Sequence, residues 1–415
     1  MGIQPERSTP WYEIHTVFSC LSLWLKSGNT PRLFLGGCGT ADQFHEMLLK
    51  IWKESTHASE VLEEALEEGM GEDLVEGSVP NVDVAQLRID RRRIIAGPVA
   101  RWKARYVQTR NIAYGDAGRR NTLDIWRRKD LPLDGRAPVL LQVHGGAWVI
   151  GNKEQQALPL LGHMAENGWV CVAINYRLSP RATWPDHIVD VKRALAWIKA
   201  NIADHGGDPD FVAITGGSAG GHLSSLAALT ANEPMFQPGF EEADTSVVAA
   251  VPFYGVYDFT DRNGVWPPDT QSMFLAPVVM KCDPDERPDL WADASPIDQV
   301  HAGAPTFMVI HGDRDVLAPV EDARTFVAAL RDVSEQPVYY LELKGAQHAF
   351  ETFTSVRANA TVDAAARFLQ AVYDAYLTGP GNVAEPHEVL ESVKVRVGAP
   401  LAEEAAVATG DDASS

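Results

Sequence analysis

Residues 213–223 read "AITGGSAGGHL", and this stretch decides the fold class. An apolar, strand-like run leads into a G-x-S-x-G pattern centred on Ser218, and a helical pattern begins directly after it. A serine at so sharp a strand-to-helix turn needs a strained backbone and neighbours that are nearly free of side chains. The turn raises the hydroxyl clear of the strand, with a helix amino terminus behind it. The stretch therefore predicts a buried strand that carries a nucleophilic serine at its end.

Apolar runs and helical patterns alternate on both sides of this stretch. The apolar runs are near-continuous, as is typical of parallel strands that are covered on both faces. Before them, two runs at 105–115 and 121–128 predict an antiparallel hairpin. Strands that alternate with helices predict an α/β fold with a doubly wound, mostly parallel sheet. The later predicted strands lie at 138–144, 169–177, 210–217, 247–255, 305–312 and 337–345, and the predicted helices at 186–202, 320–332 and 362–376.

The same alternation suggests how the chain is divided. Residues 1–105 read as a mostly helical extension, residues 106–378 as the α/β catalytic domain, and residues 379–415 as a disordered tail. Within the domain, residues 259–300 are rich in Pro, Asp and Trp and interrupt the alternation. We expect this segment to form a cap over the carboxyl edge of the sheet, where such folds bind ligands.

Charge narrows the classes of partner. The chain holds 36 Lys and Arg against 56 Asp and Glu, a net charge of −20, which argues against nucleic acid because a phosphate backbone needs a basic footprint. The basic stretch 88–105 fits either acidic lipid headgroups or the acidic stretch 60–77 before it, and we favour the second interpretation. Residues 33–48 have the glycines of a dinucleotide-binding turn, but Asp42 replaces the third, so we interpret them as a loop.

The sequence says less about where the protein is located and whether its cysteines pair or bind metal. The start of the chain lacks the pattern of a secretory signal, and the apolar run at 17–25 is too short to span a bilayer. We expect a cytoplasmic protein. A peripheral contact of its N-terminal region with a membrane or envelope stays open, and so does the oligomeric state. The four cysteines form no C-x-x-C pair and no zinc-type cluster, so we expect no metal. Cys171 is interpreted as a buried thiol, and a pairing of Cys20 with Cys38 stays open.

Two residues follow Ser218 in the order that a Ser–Asp–His arrangement on this turn requires. His348 lies in a loop after the last predicted strand, where it can take the serine proton and return it to a leaving group. Asp315 lies just past the end of the strand at 305–312, where its carboxylate can orient the imidazole and stabilise its charged form. Asp313 follows that strand more closely and is interpreted as a residue that caps the turn.

Two other histidines are interpreted as structural. His222 follows the serine on its helix, where packing is expected. His311 ends a strand and is expected to hydrogen-bond the loop beyond it. Neither has a carboxylate in an obvious position behind it in the sequence, so proton transfer is assigned to His348.

The stretch "HGGAW" at 144–148 supplies the remaining chemistry. Acyl transfer places negative charge on a carbonyl oxygen, and backbone N–H groups aimed at that oxygen stabilise it by about 3–4 kcal/mol each. Small residues let the main chain approach a substrate without a side chain between them. We therefore predict that this loop and the N–H of Ala219 form an oxyanion hole, and we interpret Trp148 as a packing residue.

With these residues in place, the chain resembles the hormone-sensitive-lipase-like, or bacterial family IV, carboxylesterases of the α/β-hydrolase fold. The similarity covers about residues 106–378 and rests on "HGGAW", "NYRLSP", "GGSAGGHL", "HGDRD" and "QHAF". Actinobacterial Lip-type esterases look most similar, because they also carry a long N-terminal extension. The resemblance implies an eight-stranded, mostly parallel sheet, no cofactor, and hydrolysis of short to medium acyl esters. It assigns Ser218, Asp315 and His348 to a catalytic triad. It also implies that Gly145, Gly146 and Ala147 line the oxyanion hole together with Ala219.

One position departs from the family pattern. The common motif is H-G-G-G, and this chain has Ala147 at the third small position. The change keeps the backbone N–H, but the added methyl is expected to restrict bulky acids and esters of tertiary alcohols.

Three functions are weighed. The leading hypothesis is a serine carboxylesterase, lipase-like in its group, that works through an acyl-enzyme on a small ester substrate. A second keeps the triad but changes the substrate, as in an arylformamidase-type amidase or a prenylcysteine methylesterase. The third is a catalytically silent hydrolase fold that serves as a binding module, which the complete set of nucleophile, acid, base and oxyanion loop disfavours.

Overall fold

The computed structural model describes residues 106–352 and 355–379. Several sequence predictions lie outside these residues. They are the helical extension over 1–105 with its loop at 33–48, its basic stretch and its membrane contact, the Cys20–Cys38 pairing, and the tail beyond Gly379.

Eight strands of the described residues form one sheet. They are β1 (Tyr106–Ala113), β2 (Thr122–Arg128), β3 (Ala137–Val143), β4 (Val170–Ile174), β5 (Gly207–Gly217), β6 (Ala249–Phe253), β7 (Thr306–Gly312) and β8 (Val338–Leu343). Their order across the sheet is β1-β2-β4-β3-β5-β6-β7-β8. The pairs β1–β2 and β2–β4 are antiparallel, and the other neighbours are parallel. The hairpin and the mostly parallel sheet predicted from the sequence are confirmed.

Helices follow most of the parallel strands. They are α1 (Leu158–Glu166), α2 (Asp186–Asn201), α3 (Ala219–Leu229), α4 (Pro288–Asp293), α5 (Val320–Val333) and α6 (Val356–Thr378). The three helices predicted by periodicity correspond to α2, α5 and α6. Helix α6 begins earlier than its apolar pattern, because the Ser355 hydroxyl accepts a hydrogen bond from the N–H of Ala358 at 3.0 Å and caps the helix.

Two apolar cores lie on opposite faces of the sheet. Along β3, Val139, Leu141 and Val143 contact the core that includes residues of α2, α3 and α5. Leu140, which points the other way, belongs to the core that includes residues of α1 and α6. Because strand side chains alternate between faces, both faces of an apolar strand are buried only when helices cover both. This explains why the strands read as continuous apolar runs, and it leaves the strand ends to carry chemistry.

The segment predicted as a cap, residues 259–300, has no strand and holds a π-helix (Gln271–Met280) together with α4. The carbonyl of Val279 accepts hydrogen bonds from the N–H of Trp184 and the hydroxyl of Thr183, both at 3.0 Å. The segment thus packs on the chain that follows β4, at the carboxyl end of the sheet. The domain boundaries drawn from the sequence stay a prediction. In residues 106–352 and 355–379, every helix is too short or too polar to cross a membrane.

Candidate active site

The turn between β5 and α3 holds Ser218 in a strained conformation. Its φ and ψ are 59° and −122°, in a region that side-chain-bearing residues rarely occupy. Glycines make the turn possible: a Cβ on Gly216 would lie 2.4 Å from the carbonyl oxygen of Gly220, and one on Gly220 would lie 2.1 Å from that of Val143. The backbone N–H of Ser218 donates to the carbonyl of Phe253 at 3.0 Å. The G-x-S-x-G pattern is thus explained by close backbone contacts on both sides of the serine.

Ser218, His348 and Asp315 form a continuous chain of hydrogen bonds. Nε2 of His348 lies 2.9 Å from Oγ of Ser218, and Nδ1 lies 2.7 Å from Oδ2 of Asp315. The three residues come from the ends of β5, β7 and β8, which lie at the same edge of the sheet. An imidazole between a hydroxyl and a carboxylate can accept the hydroxyl proton while the carboxylate stabilises the resulting charge.

The loop after β7 (residues 313–319, the β7 loop) holds Asp315 as an ionised carboxylate. Oδ1 accepts the N–H groups of Leu317 and Ala318, each at 2.9 Å. Burial alone would raise the pKa of the carboxyl group, but the charge and hydrogen bonds of His348 and His311 outweigh burial and hold that pKa well below its usual value. Asp315 is therefore ready to support a proton on the imidazole.

His311 requires a correction. The sequence suggested no carboxylate behind it, yet its Nε2 lies 3.5 Å from Oδ2 of Asp315. The β7 loop turns back tightly, with the Asp315 N–H directed to the carbonyl of Gly312 at 3.3 Å, so the acid lies over the end of its own strand. The expected loop contact is also present, because Nε2 of His311 bonds the Ala318 carbonyl at 2.8 Å. His311 thus helps to hold the acid in place.

The structure brings Asp315 to His348 and directs Asp313 elsewhere. Oδ1 of Asp313 accepts the N–H of Gly345, and the Asp313 N–H bonds the carbonyl of Leu343 at 3.1 Å. Asp313 therefore ties the β7 loop to the loop after β8 (residues 344–352, the β8 loop), which carries the histidine.

The loop after β3 (residues 144–157, the β3 loop) also has a strained backbone. Gly146, Ala147 and Trp148 have φ values of 113°, 51° and 60°. The carbonyl of Gly146 accepts the N–H groups of Val149 and Ile150 at 3.0 Å. A Cβ on Gly146 would lie only 2.3 Å from the carbonyl oxygen of Ile150, so the turn needs glycine at this position.

The backbone N–H groups of this region fall into two sets. Those of Gly146, Ala147 and Ala219 have no hydrogen-bond partner among the described residues. Ala219 is the first residue of α3, where N–H groups attract negative charge. Gly145 differs from the prediction, because its N–H donates to Oε1 of Gln156 at 2.6 Å. It lies against the serine, since a Cβ there would be 3.2 Å from that of Ser218, but it does not offer a free donor.

A buried ion pair anchors the β3 loop to the hairpin. Nζ of Lys153 lies 3.2 Å from Oδ1 of Asp124 on β2, and both side chains are almost fully buried. The same ammonium donates to Oδ1 of Asn111 on β1 at 2.8 Å, and the Lys153 N–H donates to Oδ1 of Asn175 at 2.8 Å. The antiparallel edge of the sheet thus fixes the end of a loop whose start lies beside Ser218.

His222 and Trp148 pack together, as the sequence suggested. The indole Nε1 of Trp148 donates to Nδ1 of His222 at 3.2 Å, and Nε2 of His222 bonds the carbonyl of Ala294 at 2.7 Å. Phe259 stacks on the imidazole at 4.5 Å. Burial lowers the pKa of His222 to about 3, so this histidine is neutral and both of its nitrogens are occupied.

Sequence reasoning missed three polar residues near the site. Gln156 bonds the β3 loop, while the hydroxyl of Tyr254 donates to the buried Glu351, and the Tyr254 ring lies 4.6 Å from the imidazole of His348. Glu351 follows the histidine by three positions, which is the only sequence signal; nothing in the pattern indicates the other two. Among the described residues, no group of three or more His, Cys, Asp or Glu is arranged to hold a metal ion.

The sheet order, the serine elbow after β5, and the acid and base after β7 and β8 define an α/β-hydrolase fold. The truncated form of a carbohydrate esterase from gut microbiota is 26% identical with a TM-score of 0.57, over 64% of this chain and 96% of that one. A thermophilic esterase of Thermogutta terrifontis has the same fold, at 23% identity and a TM-score of 0.54, over 63% of this chain and 93% of that one.

The chain belongs to the BD-FAE family, whose model matches residues 123–330, half of the sequence. It is 60% identical over 268 residues to a probable carboxylic ester hydrolase, LipM, and 53% identical over 279 residues to an esterase, LipQ, both of Mycobacterium tuberculosis. These alignments cover 65% and 67% of this chain and 62% and 65% of the relatives, less than two thirds of their length. An isoprenylcysteine methylesterase of Arabidopsis thaliana is 28% identical over 54% of this chain and 52% of its own. The Lip-type resemblance is confirmed.

Proposed function

We propose that this protein is a serine carboxylesterase that hydrolyses short to medium acyl esters through an acyl-enzyme on Ser218. The observation that carries the proposal is the hydrogen-bond chain from Oγ of Ser218 through His348 to Asp315. The esterase names of the Lip relatives support the same activity.

The geometry suggests how acylation proceeds. Nε2 of His348 accepts the proton as Oγ of Ser218 bonds the ester carbonyl carbon, and the carbonyl oxygen becomes an oxyanion. The open N–H groups of Gly146, Ala147 and Ala219 are the donors available to that oxyanion. The bond to the alcohol oxygen then breaks, and His348 delivers its proton to the departing alcohol.

Deacylation repeats these roles with water. His348 takes a proton from a water molecule while the water oxygen bonds the acyl carbon. The bond to Oγ of Ser218 breaks, the serine regains a proton from the imidazole, and the carboxylic acid leaves. Throughout, Asp315 keeps Nδ1 of the imidazole protonated and offsets the positive charge that forms.

A fluorophosphonate probe tests this proposal directly, because it reacts with a serine that has a working base beside it. The wild-type chain is expected to take one label, and Ser218→Ala is expected to take none. Hydrolysis of p-nitrophenyl esters of graded acyl length then defines the acid that the site accepts. Labelling that persists in Ser218→Ala would overturn the mechanism.

A second candidate keeps the triad and changes the substrate to a prenylcysteine methyl ester. The similarity to isoprenylcysteine methylesterases favours it, although at lower identity than the Lip relatives. Parallel assays with a farnesylcysteine methyl ester, with N-formylkynurenine for the arylformamidase alternative, and with p-nitrophenyl butyrate rank the three. We expect the simple ester to have the highest kcat/KM.

A further inference from the structure

Glu351 is a buried carboxyl group that the proposed mechanism does not use. It lies on the β8 loop and is 5% exposed, and its Oε1 accepts a hydrogen bond from the hydroxyl of Tyr254. Its Oε2 has no partner among the described residues. Burying a carboxyl group with an unpaired oxygen costs free energy. A role in the active site would explain why the group lies behind the base.

Tyr254 connects this carboxyl group to the base. Its ring lies 4.6 Å from the imidazole of His348, inclined at 59°, in direct contact distance. Its backbone has a φ of 36°, and its N–H bonds the carbonyl of Ile310 at 2.7 Å. A Cβ on Gly217, next to the nucleophile, would lie 2.6 Å from the Tyr254 hydroxyl. The ring is thus held between the serine turn and the histidine, with its hydroxyl on Glu351.

The described residues that line the cavity beside Glu351 include no cation that could neutralise it. Gln142, Gln156, Thr215 and Val362 line the small cavity beside it, and none of them carries a charge. The titratable groups that face the Glu351–Tyr254 pair in the described residues are His348 and, beyond it, Asp315. Burial raises the pKa of the Glu351 carboxyl group, while the Tyr254 hydroxyl and the positive form of His348 act in the opposite direction.

We propose, on the basis of the proposed function, that Glu351 is a positioning residue for His348. It fixes the Tyr254 ring against the imidazole, and its ionised form, which the Tyr254 hydrogen bond and the positive imidazole favour against burial, adds a negative charge that favours the imidazolium. Asp315 acts on Nδ1 by direct contact, whereas Glu351 acts through the tyrosine. The base is then influenced by two carboxyl groups, one in direct contact and one through the Tyr254 ring.

The pH dependence of fluorophosphonate labelling tests this inference. Labelling needs a neutral imidazole, so its rate rises with pH through a midpoint. Loss of a nearby negative charge makes the imidazole easier to deprotonate, so Glu351→Gln is expected to lower the midpoint by about half a pH unit. We also expect the maximal rate to fall about threefold, and Glu351→Asp, which keeps the charge, to return the midpoint toward the wild-type value.

The chain offers a control in a second tyrosine–glutamate pair, whose glutamate is exposed and also bonds Arg324. The hydroxyl of Tyr340 donates to Oε2 of Glu342 at 2.7 Å on β8. Glu342→Gln and Tyr340→Phe are expected to leave the labelling midpoint unchanged. Tyr254→Phe, which keeps the ring and removes the hydroxyl, is expected to reduce the maximal rate more than it moves the midpoint.

The outcomes separate the inference from the proposed function. A wild-type chain that takes no label overturns both. A wild type that labels at Ser218, with Glu351→Gln showing a lower rate at an unchanged midpoint, overturns only the inference and makes Glu351 a packing residue. If Glu351→Gln folds poorly, the imidazole signal of His348 is titrated by NMR in Ser218→Ala with and without Glu351→Met, which removes the charge and keeps the length of the side chain. Coincident titration curves would then overturn the inference.

Discussion

The β3 loop and the β8 loop reach the same edge of the sheet, yet they are built differently. The β3 loop offers backbone: it has three successive residues with positive φ, a glycine that tolerates no side chain, and a buried ion pair at its end. The β8 loop offers a side chain, His348, which is held by hydrogen bonds and ring contacts from three other strand ends. The first loop therefore depends on shape, and the second depends on charge.

The largest effect is expected from removing the carboxylate that holds His348, the side chain that the β8 loop offers. Asp315→Ala should lower kcat by about ten-thousand-fold, because the imidazole loses both its orientation and the partner of its positive form. Asp313→Ala removes a carboxylate of the same β7 loop that bonds the Gly345 N–H instead, and should cost less than tenfold. Initial rates on p-nitrophenyl butyrate decide between them, and a reversed order would mean that the acid is Asp313.

A change of shape in the β3 loop should come next. Gly146→Ala would place a methyl against the Ile150 carbonyl and displace the neighbouring N–H groups, so kcat should fall about a hundredfold to a thousandfold with little change in the pH profile. Ala147→Gly is the matched control, because glycine adopts the positive φ of this position without strain and keeps the backbone N–H.

For Ala147→Gly we expect kcat on a butyrate ester to stay within about twofold, since no donor is lost. Rates on an ester of a tertiary alcohol should rise, since the methyl expected to restrict such alcohols is gone. If Gly146→Ala is as active as the wild type, the oxyanion is bound elsewhere.

A smaller effect is expected where the β3 loop meets the hairpin. Lys153→Met removes the buried ammonium partner of Asp124 and leaves the exposed Arg110, whose Nε lies 3.5 Å from Oδ2, so it should lower the free energy of unfolding by about 3 kcal/mol. Lys199→Met is the control, because its ion pair with Asp244 has the same 3.2 Å separation but a half-exposed carboxylate, and it should cost less than about 1 kcal/mol. Urea unfolding measures both. Equal losses of unfolding free energy would show that burial does not determine how much each ion pair stabilises the fold.

Some features of the site could be predicted from the sequence, and others could not. The strands, the serine turn and the order Ser218, Asp315, His348 follow from local patterns, because apolar runs and glycine turns are set by neighbours in the chain. The contact of Gln156 with Gly145 and the nearness of His311 to Asp315 each depend on how one loop turns back on itself, and the Tyr254–Glu351 pair depends on how two separate loops meet. Such contacts leave no periodic signal, and they are the ones that adjust the site.

The position of β8 in the sheet bears on how the protein fails under stress. Among the described strands, β8 lies at the edge and is bonded to β7 alone, and the loop that follows it carries the base. Sheet edges open more readily than sheet centres. On warming, the base should therefore leave the nucleophile while the central strands stay intact. Heat inactivation would then begin as a local and reversible event, and a sample that has lost its activity would still hold most of its fold.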